Sequence, residues 1–500
     1  MGDGFKGDGA QKHKGHQNGG FKTSLGFILA CVGSAVGMGN IWMFPYRVGQ
    51  YGGAAFLVPY AIFITLFGLV GLSAEFAIGR RARTGTLGSY EYCWASRGKG
   101  KLGYALGWIP LLGSLGIAIG YAIIVGWVVR ALFGSLTNSI LTTDAAVYFS
   151  QATGEFGSIP WHVIVVVLAM AILMFGVSSG IEKINKVLMP SFFVLFAVLA
   201  IRVAFLPGAA EGYKFLFVPK WEYLLKVDTW VMAMGQAFFS LSITGSGMIV
   251  YGTYLKKDED IPRSSIQTAV FDTLAAMLAA LAIMPAVFAF GIQPNAGPPL
   301  MFITLPNIFT QMAGGRIWGS LFFLFLFCAA LSTIVGVFEN IVSFWMDLFG
   351  WKRTKAVGIN ILLITVLSIP CILGFSVWSG FQPLGAGTNI MDLEDFIVSN
   401  NILPLGSVVY LLFCTHKNGW GWKNFIQEAN SGDGLKFPAK ARFYMTHILP
   451  WVVVVIYLKG YYDMFRPQGT TIFVIWMLIA LGCLGFIAYI SSSRKKQKKS

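Results

Sequence analysis

Charge is what this sequence has little of. Only 12% of its 500 residues are Asp, Glu, Lys or Arg, and 56% are hydrophobic. A soluble globular domain carries about 25% charged residues, so that class is excluded. Histidine and cysteine are scarce as well. His13, His16, His162, His416 and His447 fall in tails, loops or span ends. They make no metal-ligand pattern and no reactive constellation, which argues against a membrane-embedded enzyme. The six cysteines (Cys31, Cys93, Cys328, Cys371, Cys414 and Cys483) are scattered, mostly in apolar segments. They read as inert buried thiols. The net charge of +15 is no nucleic-acid signature, because the basic residues sit in short loops and in the tail Arg494-Lys495-Lys496-Gln497-Lys498-Lys499. The positive-inside rule produces that distribution. No cleavable signal peptide is visible; residues 1–22 are polar, rich in Gly and Lys, and read as a disordered tail.

Long apolar runs are what is there. Twelve can be counted, at roughly 25–50, 54–80, 103–134, 161–178, 185–206, 229–254, 264–293, 316–349, 355–375, 393–414, 442–462 and 469–492. The expectation is an all-α polytopic protein of the cell membrane. The basic loops at Arg80 to Lys101, Glu182 to Lys186, Lys256-Lys257, Lys352 to Lys355 and 415–441 all join the two termini on one face, the cytoplasmic one. The loops 135–160, 207–228, 295–315 and 376–392 fall on the other face, and 295–315 reads as a re-entrant or capping hairpin. The cytoplasmic loop and spans 11 and 12, together 416–493, lie outside a core of ten helices, and 494–500 is a basic cytoplasmic tail.

Span 1 carries the most informative string. Gly33-Ser34-Ala35-Val36-Gly37-Met38-Gly39-Asn40-Ile41-Trp42-Met43-Phe44-Pro45 lies within an uncharged run from Leu25 to Tyr46. Glycine costs roughly 1 kcal/mol relative to alanine in a helix interior. Backbone that leaves a helix inside hydrocarbon must be satisfied by something other than lipid. The string fits a broken helix turning free amides and carbonyls to a ligand, or a glycine-lined helix contact. Span 6 is interrupted too, at Ser242-Ile243-Thr244-Gly245-Ser246-Gly247. Paired interruptions in two halves of a chain point to a mid-membrane binding site between inverted repeats. The halves would run 23–206 and 229–415, joined by the loop 207–228.

These residues carry a resemblance. The strings Gly33 to Pro45, Gly52-Gly53-Ala54-Ala55-Phe56, Glu75 with Gly79-Arg80, Phe238-Phe239-Ser240-Leu241-Ser242, Lys257 to Ile261 and Asp392 to Asp395 are similar to the neurotransmitter:sodium symporter family, in its bacterial amino-acid branch. The likeness covers about residues 20–460. It implies a leucine-transporter-like fold, a 5+5 inverted repeat with broken helices one and six. The activity implied is sodium-coupled uptake of amino acids by alternating access.

The resemblance also implies sites. One sodium ion would take Ala35, Asn40, Ser240 and Asp272, with the substrate carboxylate completing the shell. A second would take carbonyls of Gly33, Val36 and Ala329 and hydroxyls of Ser332 and Thr333. Many family members resemble an asparagine where this chain has Asp272, and bind chloride nearby. The chloride positions Tyr60, Gln236 and Ser240 match, but Ala276 lacks the hydroxyl. Asp272 is therefore expected to supply the negative charge, making uptake chloride-independent with a proton that could leave as sodium binds. In the substrate pocket, Gly37 leaves room for a carboxylate held by sodium, the Gly39 amide and the Tyr121 hydroxyl, with Ser34, Ala35 and Met38 around it. Ser242 would meet the amine. Ile117, Phe239, Gly245, Thr333 and Val337 would line the side-chain slot, and Ser240 is a further substrate-binding position. A leucine-selective relative resembles a bulky aromatic at the position of Gly245, so the expected substrates are large apolar or aromatic L-amino acids.

Three departures bear on gating. The outer gate resembles an Arg–Asp pair; Asp395 is present, but the arginine position holds Met43, leaving Tyr121 against Phe239 to close it by packing. The inner gate resembles an Arg-x-x-Trp before span 1; those positions hold Asn18 and Phe21, so Asp347 lacks that arginine, with Lys22 a candidate substitute. The Thr-Gly-Ser-Gly stretch of span 6 is the third. In span 5, Gly180 and Pro190 bracket a segment that the resemblance suggests unwinds, against the plainer reading of a helix start after a loop. A transporter of another small carboxylate-bearing solute, and a sodium-gated sensor without transport, remain alternatives. The sequence does not give the oligomeric state.

Overall fold

The structure is a computed structural model and describes residues 20–95, 98–241, 247–291, 300–417 and 419–492. Helices dominate, and no strand occurs among the described residues. Nine helices are long and apolar enough to cross a membrane, among the described residues, and a bent pair makes a tenth. The bent pair is span 1, Ser24–Ala35 followed by Gly39–Gln50, turned by 65°. Ile159–Met174 is a shorter apolar helix at the position of span 4. Span 6 is two pieces, Val227–Ser240 and Gly247–Thr253. The architecture is compatible with twelve crossings.

The break in span 1 has a local cause. Val36 ends the first half in an extended conformation, with ψ near 96°. The chain re-enters helix through a π-type turn at Gly39–Met43 and continues as Phe44–Gln50, with Pro45 in its first turn. The interruption of span 6 at 242–246, with its Ser242 and Gly245, lies outside the described residues. So does most of the N-terminal tail, including Asn18, and part of 295–315, whose described portion is a π-type turn at Leu300–Thr304 and the helix Leu305–Gln311.

Span 1 is enclosed. It packs on span 8 (Gly315–Phe349), span 5 (Val177–Ala204) and span 7 (Ile261–Ala289), while span 3 (Gly100–Leu136) packs along span 8. Its residues 33–38 are all buried. Span 2 (Ala54–Ala82) meets the second half of span 6 at backbone distance: a Cβ on Gly79 would lie 1.9 Å from the Ile249 carbonyl oxygen. Span 12 (Thr470–Tyr489) lies at the periphery, with only 11% of its apolar window buried. Span 5 begins as a π-type turn at Val177–Glu182, after Gly176 at φ 76°. It is neither unwound nor an ordinary α-helical start. Single π turns inside α-helices often mark functional sites.

Candidate functional site

Two polar clusters flank the break in span 1. In the first, Asn40, Ser240 and Asp272 come from spans 1, 6 and 7 and are at most 1% exposed. Asn40 Nδ2 donates to Asp272 Oδ1 at 2.7 Å, to the Asp272 carbonyl at 3.1 Å and toward Ser240 Oγ at 3.1 Å. Ser240 Oγ donates to Asp272 Oδ2 at 2.6 Å. Tyr60 reaches Ser240 Oγ at 3.5 Å, and Gln236 Nε2 reaches the Gly39 carbonyl at 3.4 Å. Ala276 is buried beside them and carries no hydroxyl. No basic side chain pairs with Asp272 among the described residues. A buried carboxylate without a cation is costly. An oxygen-rich pocket built around it suits a hard cation such as sodium. Asn40 Oδ1 takes the Gly37 amide at 3.3 Å, which leaves its second lone pair for a cation.

The second cluster lies where span 8 meets the end of the first half-helix. Thr333 Oγ1 is 3.0 Å from the Gly33 carbonyl, 3.0 Å from that of Val36 and 3.2 Å from that of Ala329. Ser332 Oγ donates to the Ala329 carbonyl at 2.8 Å. One hydroxyl has one proton to give, so Thr333 cannot satisfy three carbonyl oxygens. Acceptors exceed donors, and a cation would settle the excess. All five residues expected at the second sodium site are thus brought together, as are Asn40, Ser240 and Asp272 of the first. Ala35 is buried at the end of the first half-helix.

The space between them is shaped by glycines. A Cβ on Gly37 would lie 3.0 Å from both Tyr121 Oη and Thr333 Oγ1. Tyr121 Oη accepts the Met38 amide at 3.2 Å, which leaves its own proton for an acceptor. A Cβ on Gly39 would lie 2.6 Å from the Phe239 ring. Phe239 is 38% exposed and lies over Gly39. Ile117 and Val337 are half-buried on spans 3 and 8. Ser34 Oγ would lie 2.6 Å from a Cβ on Gly336, so span 1 and span 8 touch there with no spare room.

The gates differ from the family pattern in instructive ways. Asp395 is exposed and accepts the Ser399 hydroxyl at 2.6 Å. Arg47 lies within electrostatic reach of it and also donates to the Met232 carbonyl at 3.4 Å. Sequence reading missed Arg47. It stands four residues after Met43, and positions i and i+4 of a helix share a face, so that spacing was the available signal. At the other end of the bundle, expected to be the inner gate, Asp347 takes the Gly85 amide and the Thr84 hydroxyl, the latter at 3.1 Å. The start of span 1 is held elsewhere. Glu182 accepts the Lys22 backbone amide at 2.7 Å, the Thr23 hydroxyl at 2.8 Å and Lys186 Nζ at 2.6 Å. Glu259 accepts the Ser24 hydroxyl at 2.7 and 2.9 Å.

With this geometry in hand, the similarities to known proteins are specific. A model of the sodium:neurotransmitter symporter family matches residues 18–153 and 141–492. The chain is 34% identical over 451 residues to an uncharacterized sodium-dependent transporter of Bacillus subtilis, YhdH, covering 87% of this chain and 96% of that one. It is 30% identical over 454 residues to an uncharacterized sodium-dependent transporter of Haemophilus influenzae, covering 88% and 97%. Among solved structures, MhsT in complex with L-phenylalanine is similar with a TM-score of 0.77 and 36% identity, covering 88% of this chain and 99% of that one.

Proposed function

This chain belongs to the sodium:neurotransmitter symporter family, and on that premise we propose that it imports large hydrophobic or aromatic L-amino acids by chloride-independent symport with two sodium ions. The observation that carries the reading is Asp272, fully buried, without a basic partner among the described residues and bonded to Asn40 and Ser240. It supplies fixed negative charge at the first sodium site, where chloride would otherwise be needed. The substrate carboxylate would approach that sodium beside Gly37, within reach of Tyr121 Oη. The amide of Gly39 and the hydroxyl of Ser242, the latter outside the described residues, would take the remaining polar contacts. A relative solved with L-phenylalanine bound supports an apolar side-chain slot, here given to Ile117, Phe239, Gly245, Thr333 and Val337. The two rings expected to close the slot from outside, Tyr121 and Phe239, stand on spans 3 and 6.

The energetics suffice for uptake. A tenfold sodium gradient is worth about 1.4 kcal/mol per ion. A potential of 100 mV adds about 2.3 kcal/mol per charge. Two ions entering with a zwitterion therefore supply about 7 kcal/mol, enough for about 10⁵-fold accumulation. The test is uptake of labelled L-Phe, L-Trp, L-Tyr and L-Leu into proteoliposomes holding the full chain, with sodium or potassium outside and chloride replaced by gluconate. Concentrative uptake in sodium is expected. Stimulation by chloride would overturn the role given to Asp272. Sodium-stabilised protein that moves none of the four would move the substrate to another carboxylate-bearing solute, or remove transport altogether.

A further inference from the structure

Span 5 sets a buried amide oxygen against Gly33, the residue at the edge of the second cluster. Asn185 stands one turn beyond the π-type turn and is fully buried. Its Nδ2 donates to the Ile181 carbonyl at 2.9 Å. That bond decides which end of the amide is which: nitrogen faces its own helix and Oδ1 faces away. Oδ1 has no hydrogen-bond partner among the described residues. What it faces is span 1. A Cβ built on Gly33 would fall 2.3 Å from Asn185 Oδ1 and 3.0 Å from Ser332 Cβ. Gly33 is the residue whose carbonyl meets Thr333 Oγ1 at 3.0 Å.

A buried acceptor without a donor is expensive to keep. Here it borders a cluster in which acceptors already outnumber protons, so a neighbouring protein donor cannot relieve it. A monovalent cation would relieve all of these oxygens together. Any side chain at position 33 would block Asn185 from the cluster, and glycine is what stands there. We propose that Asn185 Oδ1 is a further ligand of the second sodium ion, holding it from the cytoplasmic side. The inference rests on the sodium reading above. It adds a consequence that reading lacks. Asn185 is three residues from Glu182, which holds Lys22 and Thr23 at the start of span 1. Sodium bound by Asn185 ties span 5 to span 1 at a second point, so the ion itself steadies the π-type turn that must loosen for its release.

The experiment uses the full chain in lipid nanodiscs, with sodium titrated against choline. Two signals are read: the thermal unfolding midpoint, and hydrogen exchange of residues 177–190. Wild type, Asn185→Ala, Asn185→Asp and Thr333→Ala are compared. Asn185→Ala is expected to raise the sodium concentration for half-maximal stabilisation by roughly tenfold and to abolish the slowing of exchange in 177–190 by sodium. Asn185→Asp keeps an oxygen in place and adds charge, so it should lower that concentration. If Asn185→Ala fails to fold, the aspartate variant alone decides by the direction of its shift. A wild-type sodium midpoint and exchange response in these variants, with Thr333→Ala impaired, overturns the inference and leaves the sodium reading intact. A wild type indifferent to sodium overturns both.

Discussion

Asp272 shows how much one residue can decide. Its two oxygens are 2.7 Å from Asn40 Nδ2 and 2.6 Å from Ser240 Oγ, so charge, not shape, is what asparagine would remove. Asp272→Asn is expected to raise the sodium needed for half-maximal thermal stabilisation by at least about tenfold, equivalent to about 1.4 kcal/mol. An unchanged midpoint would take Asp272 out of the sodium shell. Gly37 makes the complementary case. A methyl group there would sit 3.0 Å from both Tyr121 Oη and Thr333 Oγ1. Gly37→Ala should weaken labelled-substrate binding by about tenfold or more, because it would fill the space proposed for the carboxylate. Arg47 illustrates a residue that could not be read from matching alone. The match looked for an arginine at the place of Met43, while the helix delivers one a full turn later.

At the scale of elements, the span 5 turn and the start of span 1 act as a unit. Glu182 is 1% exposed and serves a backbone amide, a hydroxyl and an ammonium group at once. A Cβ on Gly26 would lie 2.4 Å from its Oε1, so glycine is what lets the carboxylate dock. Glu182→Ala leaves those donors unpaired, at a cost of about 1–3 kcal/mol for the first group lost. Faster amide exchange over Ser24–Ala35 and Val177–Glu182 is the expected result; exchange at the wild-type rate would mean the contact holds nothing closed. The junction of spans 2 and 6 behaves differently. Gly79 faces the Ile249 carbonyl oxygen at a distance that admits no Cβ, and Gly252 faces the Phe76 carbonyl oxygen, 2.8 Å from where its own Cβ would be. Both obstacles are backbone, which cannot rotate aside. Gly79→Ala should therefore fail as a folded protein, read as loss of the monodisperse peak in size-exclusion chromatography. A folded Gly79→Ala would show that the two helices can part.

For the whole molecule, the two clusters predict electrogenic uptake. Two sodium ions with a zwitterion carry two positive charges, worth about 4.6 kcal/mol in a 100 mV field. An inside-negative potential imposed with potassium and valinomycin should raise accumulation by about 10³-fold relative to zero potential at fixed sodium. Accumulation indifferent to potential would require compensating export of charge. The enclosure of span 1 by spans 5, 7 and 8 would make this coupling possible, because the residues proposed to hold the ions stand on helices packed around one broken segment.

Composition and residue pattern were enough to place the chain among helical membrane proteins. Low charge and long apolar runs dictated a bundle of membrane helices, because backbone in lipid has few other ways to satisfy its amides. Glycines at 33, 37 and 39 marked the break, because they weaken helix locally and the effect is written in the residues themselves. Tertiary structure decided what lies between distant parts of the chain. Glu182 meets Thr23 across 159 positions of sequence, and Asn185 meets Gly33 across a comparable gap. No periodicity encodes such pairs; helix packing alone brings them within bonding distance. The π-type turn of span 5 was equally out of reach, since Gly180 and Pro190 are compatible with coil, turn or helix. In the folded chain the Glu182 carboxylate at the end of that turn takes the Lys22 amide and the Thr23 hydroxyl at the start of span 1.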